Sequence, residues 1–153
     1  MTPLFRHTLA ALAYRAGKAL RDAPPEFAGY RADATSRTPA EILAHMGDLF
    51  DWALSISNRH EAWHDSAPLP WDQEVARFFA ALAAFDRRVA DAPLPVPMER
   101  LFQGPVADAL THVGQIAMLR RMAGCPFRGE NYYVADMAVG RVGLDQSAPR
   151  REF

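Results

Sequence analysis

Apolar residues recur along most of this chain at three- and four-residue spacing, and no stretch sustains the two-residue alternation of a strand. From Thr2-Pro3 onward, Phe5, Leu9, Leu12, Ala16 and Ala19 share one face, which predicts a first helix ending near Asp22-Ala23-Pro24-Pro25. Residues 24–37 follow no period and read as a loop. Thr38-Pro39-Ala40-Glu41 combines an N-cap hydroxyl, a proline at the first helical position and a glutamate three residues after the cap, so a second helix starts here and runs to about Asn58. Its wheel carries two stripes: His45, Leu49, Trp52 and Ile56 on one side, and Leu43, Phe50 and Leu54 almost opposite. A helix apolar on two sides is either central to the fold or meets a second copy of the chain. The latter reading predicts a homodimer, because an unfilled row would leave an apolar patch in water.

Residues 58–70 are polar and end in proline, as befits a connection. A third helix is predicted from Trp71 to about Asp91, with Val75, Phe78, Phe79, Leu82, Phe85 and Val89 on one face. Prolines 93, 95 and 97 make 92–98 extended. A fourth helix is then predicted to begin at Gly104-Pro105, with proline at its first position, and to stop at Gly124-Cys125-Pro126. On its wheel Pro105, Ile116, Leu119 and Ala123 lie within about 40° of His112, with Asp108 one turn earlier on the same stripe and Gln115 beside it. The fold class this predicts is all-α: a four-helix bundle in one domain over 1–153, with a core at 2–124 and an irregular tail at 125–153 packed on the bundle, its last residues frayed.

Composition narrows the partners. The 153 residues carry 17 basic and 18 acidic side chains, a net charge of −1, which excludes a nucleic-acid binder working by bulk charge. No apolar run approaches the roughly 18 residues of a membrane span. Cys125 is the single cysteine, so no disulfide can form within the chain. These features, with no signal-peptide pattern at the N-terminus, point to the cytoplasm and to a small-molecule substrate or ligand, with neither nucleic acid nor membrane as a partner.

Asp108, His112 and Gln115 put polar groups into an apolar stripe, where each requires a partner or a ligand. His45 occupies the matching stripe of the second helix, and bundles build metal sites from such inward-facing side chains. Two imidazoles and a carboxylate suit zinc or nickel first, iron or manganese next, and leave positions open for water and substrate. The alternative is that both histidines are core residues paired to carboxylates. Glu41 and Asp48 flank His45 as candidates for a general base or an outer-shell carboxylate, and Trp52 and Gln115 for pocket walls. His60-Glu61-Ala62-Trp63-His64 matches the zinc-protease pattern His-Glu-x-x-His, but it lies in a polar stretch running into Pro68 with no helix length to spare, so both histidines are expected outside the site.

Glu41-Ile42-Leu43-Ala44-His45-Met46-Gly47-Asp48 with Trp52, together with His112-Val113-Gly114-Gln115-Ile116 and Arg120-Arg121-Met122-Ala123-Gly124, resembles the DinB/YfiT-like metalloenzyme family. The resemblance implies a four-helix bundle, often dimeric, with a metal held by one histidine of the second helix and two of a His-x-x-x-His-x-Gly-Gln motif on the fourth. His45 and His112 match two of these ligands, and Asp108 stands where the family has its other histidine. The implied function is a metal-dependent hydrolase or a thiol or small-molecule transferase using His45, Asp108 and His112. The contrasting expectation is a non-catalytic bundle that binds a small ligand or partner, its polar core residues purely structural.

Overall fold

The computed structural model describes residues 2–91 and 93–153. Ala92, read from the sequence as part of the extended stretch, and Met1 lie outside the described residues. Helix α1 spans Thr2–Leu20, α2 Pro39–Ser57, α3 Trp71–Asp91, the short α4 Met98–Leu101 and α5 Ala107–Met122, with 3-10 turns at Pro25–Gly29 and Tyr132–Val134. The described residues form no strand, only an isolated bridge between Glu130 and Glu152. None of their helices is long and apolar enough to cross a membrane.

The four long helices form a bundle in which α2 packs against α3 and α5, and α1 packs against the same two. Helices α1 and α2 therefore face across one diagonal, and α3 and α5 across the other. This explains the longer proline-bearing connections at 21–38 and 93–106, each of which must cross the bundle. Phe50 of α2 meets Phe78 and Phe85 of α3 at ring separations of 6.0 and 5.9 Å, and Phe5 of α1 closes on Phe85 at 6.1 Å. Leu43 and Phe50 are fully buried in this core. Leu43 and Phe50 of the second apolar row of α2 are thus covered by α3 within one chain and Leu54 is half-buried, so that row does not by itself call for a second copy.

The second helix begins as its sequence specifies: Thr38 Oγ1 accepts from Glu41 N at 3.1 Å, and Glu41 Oε2 accepts from Thr38 N at 2.8 Å. The fourth differs from expectation. Pro105 is not its first residue; the chain is already helical from Met98 and passes through a π turn at Phe102–Val106 that contains Pro105. A proline inside an α-helix lacks a donor and collides with the carbonyl four residues earlier, and a wider turn relieves both problems. The far end stops as predicted at Gly124, whose φ of 76° is left-handed.

The tail does not fray. Asn131 N donates to Arg151 O at 2.9 Å, Phe153 N to Gly129 O at 3.1 Å, and Lys18 of α1 holds both Glu130 and Glu152 at 2.8 Å. Buried Arg120 ties the tail's start to the end of α1 through Cys125 O at 2.8 Å, Ala19 O at 3.1 Å and Arg21 O at 2.8 Å. Gly114, inside α5, has open space where a Cβ would stand. Gly114→Ala is expected to raise stability by about 0.5–1 kcal/mol through helix propensity alone, read as a higher urea midpoint at unchanged slope.

Candidate metal centre

Because α2 lies beside α5, the His45 stripe of one meets the His112 stripe of the other. The two imidazole rings lie 4.9 Å apart between centroids. His45 Nε2 is 3.1 Å from Asp108 Oδ2, and His112 Nδ1 is 3.3 Å from Asp108 Oδ1. One ligand atom from each of the three residues lies within 4.8 Å of the other two. His112 is buried, while His45 and Asp108 are half-buried, so the group opens to solvent on one side.

The imidazole of His112 is oriented by its own helix: Nδ1 lies 2.7 Å from the backbone carbonyl of Asp108, one turn earlier. A carbonyl only accepts, so Nδ1 carries the proton and Nε2 keeps the lone pair that can bind an ion. Donors around a zinc-like ion at bond lengths of about 2.0–2.2 Å stand roughly 3–4 Å apart, a spacing that His45 Nε2 and Asp108 Oδ2 already have at 3.1 Å, with a ring nitrogen of His112 within 4.8 Å of the other two residues' donors.

An aromatic wall closes one flank. Trp63 lies against His45 at 5.7 Å and against Trp52 at 5.8 Å, and Trp52 Nε1 donates to Glu61 Oε1 at 3.2 Å. A cleft of about 440 Å³ runs along Leu49, Trp52, Gly104, Ala107 and Asp108. A second of about 250 Å³ lies on the His45 side, bounded by Arg37, Glu41, Asp48 and Ser66. Trp52 thus borders the site, whereas Gln115 is exposed on α5.

Neither carboxylate read as a general base is free for that role. Glu41 is spent on its capping box and on Arg31 at 3.0 Å, and the backbone hydrogen bond from Thr38 holds its carboxyl below the ordinary range. Asp48 is buried and accepts from Ser66 N at 2.8 Å, from Ser66 Oγ at 2.7 Å and from Arg77. Burial pushes the Asp48 pKa up, but these donors outweigh it and the net shift is downward. Groups that hold their protons so weakly are poor bases near neutrality.

The His-Glu-x-x-His segment is not helical, since 60–70 is an irregular connection. His64 nevertheless has a place that the sequence did not reveal. Its Nε2 lies 3.0 Å from Asp48 Oδ1 and 3.4 Å from Asp51 Oδ2, forming a second group with metal-ligand geometry. A cation already sits there: the Arg77 guanidinium contacts Asp48, reaches Asp51 at 3.2 Å and Glu74 at 2.8 Å, and donates to Ala44 O at 3.1 Å. This group is an ion-pair latch fastening the 60–70 connection, and with it Trp63, over His45. The sequence signal for it was Gly47, where a Cβ would stand 2.6 Å from Arg77 Nη1.

No protein-family model, curated protein or solved structure matches this chain.

Gly47→Ala adds a better helix former, yet it is expected to destabilise by about 1–3 kcal/mol by displacing a guanidinium from buried acceptors, a loss of stability measurable by urea unfolding. The pH dependence follows from the lowered Asp48 pKa. Stability contributed by this carboxylate is complete above the ordinary aspartate range and is lost as pH falls through the still lower folded value. Arg77→Ala is therefore expected to flatten the acid limb of the stability–pH curve as well as lower its plateau, as tracked by thermal unfolding at a series of pH values.

Proposed function

We propose that His45, Asp108 and His112 hold a divalent metal ion, zinc or nickel before iron or manganese, and that the chain works as a DinB-like metal-dependent hydrolase or thiol or small-molecule transferase. The observation that carries this reading is the convergence of two imidazoles and a carboxylate from two helices, with His112 Nδ1–H donating to the Asp108 carbonyl. The donor chemistry fits: neutral imidazole and carboxylate are the ligands borderline divalent ions prefer, and three of them leave room for substrate. Such an ion supplies Lewis acidity and brings the pKa of water or a thiol toward neutrality.

The chain's own residues supply the rest. The backbone carbonyl of Asp108 fixes the His112 tautomer, as outer-shell acceptors do for metal-bound histidines. Trp52 and Trp63 restrict water on the His45 flank and offer flat apolar surfaces to a substrate, and the cleft along Leu49 and Gly104 leads to Asp108. Both Asp48 and Glu41 act on the scaffold. Oligomeric state and cellular location do not enter this reading.

One observation favours the contrasting reading of a non-catalytic bundle: the three side chains also satisfy one another, since His45 pairs with Asp108 and His112 with the Asp108 carbonyl. Zinc uptake separates the two. Untagged protein dialysed against zinc is expected to bind one ion per chain by elemental analysis. His112→Ala is expected to weaken this at least roughly a hundredfold and Asp108→Ala by a similar factor, while His64→Ala leaves it unaltered. Uptake that survives in the His112→Ala protein, or is absent from the wild type, would overturn the metal reading in favour of the structural one.

A further inference from the structure

Another cavity lies away from the histidines. It has a volume of about 660 Å³ and is walled by α1, α5 and the tail, through Ala11, Arg15, Val113, Gly114, Ala117 and Arg121 among others. On the α5 wheel these residues centre roughly 150° from His112, so the cavity and the histidine group use opposite faces of one helix. Phe127, Gly129, Tyr132 and Phe153 of the tail form its roof. Gly129 permits this closure, because a Cβ there would lie 2.6 Å from the Phe153 ring.

The charges are unevenly committed. Glu130 is the acid lining the cavity, and it is buried and fully engaged, accepting from Tyr14 Oη at 2.6 Å and pairing with Lys18 at 2.8 Å. That leaves two guanidinium groups without a carboxylate among the described residues. Arg15 stacks on the Tyr132 ring at 4.0 Å, which occupies its face and leaves its N–H edge open. The Arg121 side chain makes neither a hydrogen bond nor an ion pair there, and both arginines are exposed at the cavity's edge.

The other end is apolar. Thr8 borders both this cavity and a second groove of about 280 Å³ formed by Leu4, Phe5, Met98, Glu99 and Phe102, and because Leu4, Thr8, Ala11 and Arg15 share one face of α1, the two lie end to end along that helix. Leu4 is 72% exposed and Phe102 46%, so this groove presents apolar surface to solvent. From Arg15 back to Leu4 the groove runs about 16 Å along the helix.

We infer that this channel is a binding site for an amphiphilic carboxylate, a fatty-acid-like molecule whose head pairs with Arg15 and Arg121 and whose alkyl chain lies past Thr8 against Leu4, Phe5, Met98 and Phe102. Charge complementarity selects this occupant. An apolar partner surface would leave both guanidinium groups facing it unpaired, and a small anion would leave the aromatic roof and the apolar groove unfilled. The volume of the cavity beside the arginines, about 660 Å³, lies within the range of pockets that hold small molecules.

The test uses the full chain and two probes with the same tail, dodecanoate and dodecyltrimethylammonium, titrated calorimetrically below their micelle concentrations. Dodecanoate is expected to bind one per chain and the cationic probe at least about tenfold more weakly, because only the anion gains charge-assisted hydrogen bonds. The paired change Arg15→Ala with Arg121→Ala is expected to abolish this preference. Gly114→Leu, which fills the cavity without touching a charge and whose folding is checked by circular dichroism, is expected to block dodecanoate. His112→Ala, on the opposite face, is expected to leave it unchanged, so the result is independent of whether the histidine group takes zinc. Equal binding of both probes, no binding of dodecanoate, or undiminished binding to Gly114→Leu would overturn the inference. A sedimentation experiment in which the wild type is a dimer that Gly114→Leu dissociates would overturn it too, by assigning the face to a second copy of the chain.

Discussion

Helix α2 lies between two others, and much of the molecule follows from that position. Its Leu43–Phe50 side packs into the phenylalanines of α3, and its His45 side is pressed onto α5. An imidazole held in such a contact loses water on most sides, so it must find hydrogen-bonding or ligating partners there. Asp108 and His112 supply them. The same placement brings Gly47 under α3, where the missing side chain lets Arg77 lie flat across α2 and reach Asp48, Asp51 and Ala44 O. Helix α2 thus has one apolar joint, one ionic joint and one joint with metal-ligand chemistry.

The ionic joint bears on the metal-ligand one through a short piece of chain. Ser66 and His64 are drawn to Asp48, and this fixes the connection that carries Trp63 against His45. Asp48, the acidic residue nearest His45 in sequence, is thereby consumed in building the wall of the site. A carboxylate that already receives a guanidinium and two donors from one serine is anchored, and its lowered pKa is the electrostatic signature of that anchoring.

Tail and bundle are joined by a different logic. Lys18 is buried in α1, and a buried ammonium requires counter-charges; both come from the tail, as Glu130 and Glu152. Burial lowers the Lys18 pKa, but the two carboxylates outweigh it and the net shift is upward. This clamp closes the tail's two ends on each other and places its aromatic rings over the gap between α1 and α5. The cavity beneath is kept open by small residues, Ala11, Gly114 and Ala117, which do not fill the space between the helices.

Local rules decided what was legible before folding. The capping box at Thr38, the stop at Gly124, the period of each long helix and the apolar stripes carrying His45 and His112 depend on residues within one or two turns of each other, and all are readable in sequence. The unhelical character of 60–64 was readable for the same reason, since proline and polar neighbours leave no room for a helix. Tertiary structure alone decided the remainder. Whether the Leu43–Phe50 row needed a second chain depended on which helices flank α2. Where Asp48 and Glu41 spend their lone pairs depended on Arg77, Ser66 and Arg31, and only Gly47 hinted at any of this. Pro105 passed for a helix start because its φ suits one, whereas the π turn that absorbs it is imposed by a helix already running from Met98. Periodicity reports which face of a helix is buried; it carries no information about what the face is buried against, because that is set by contacts between residues far apart in the chain.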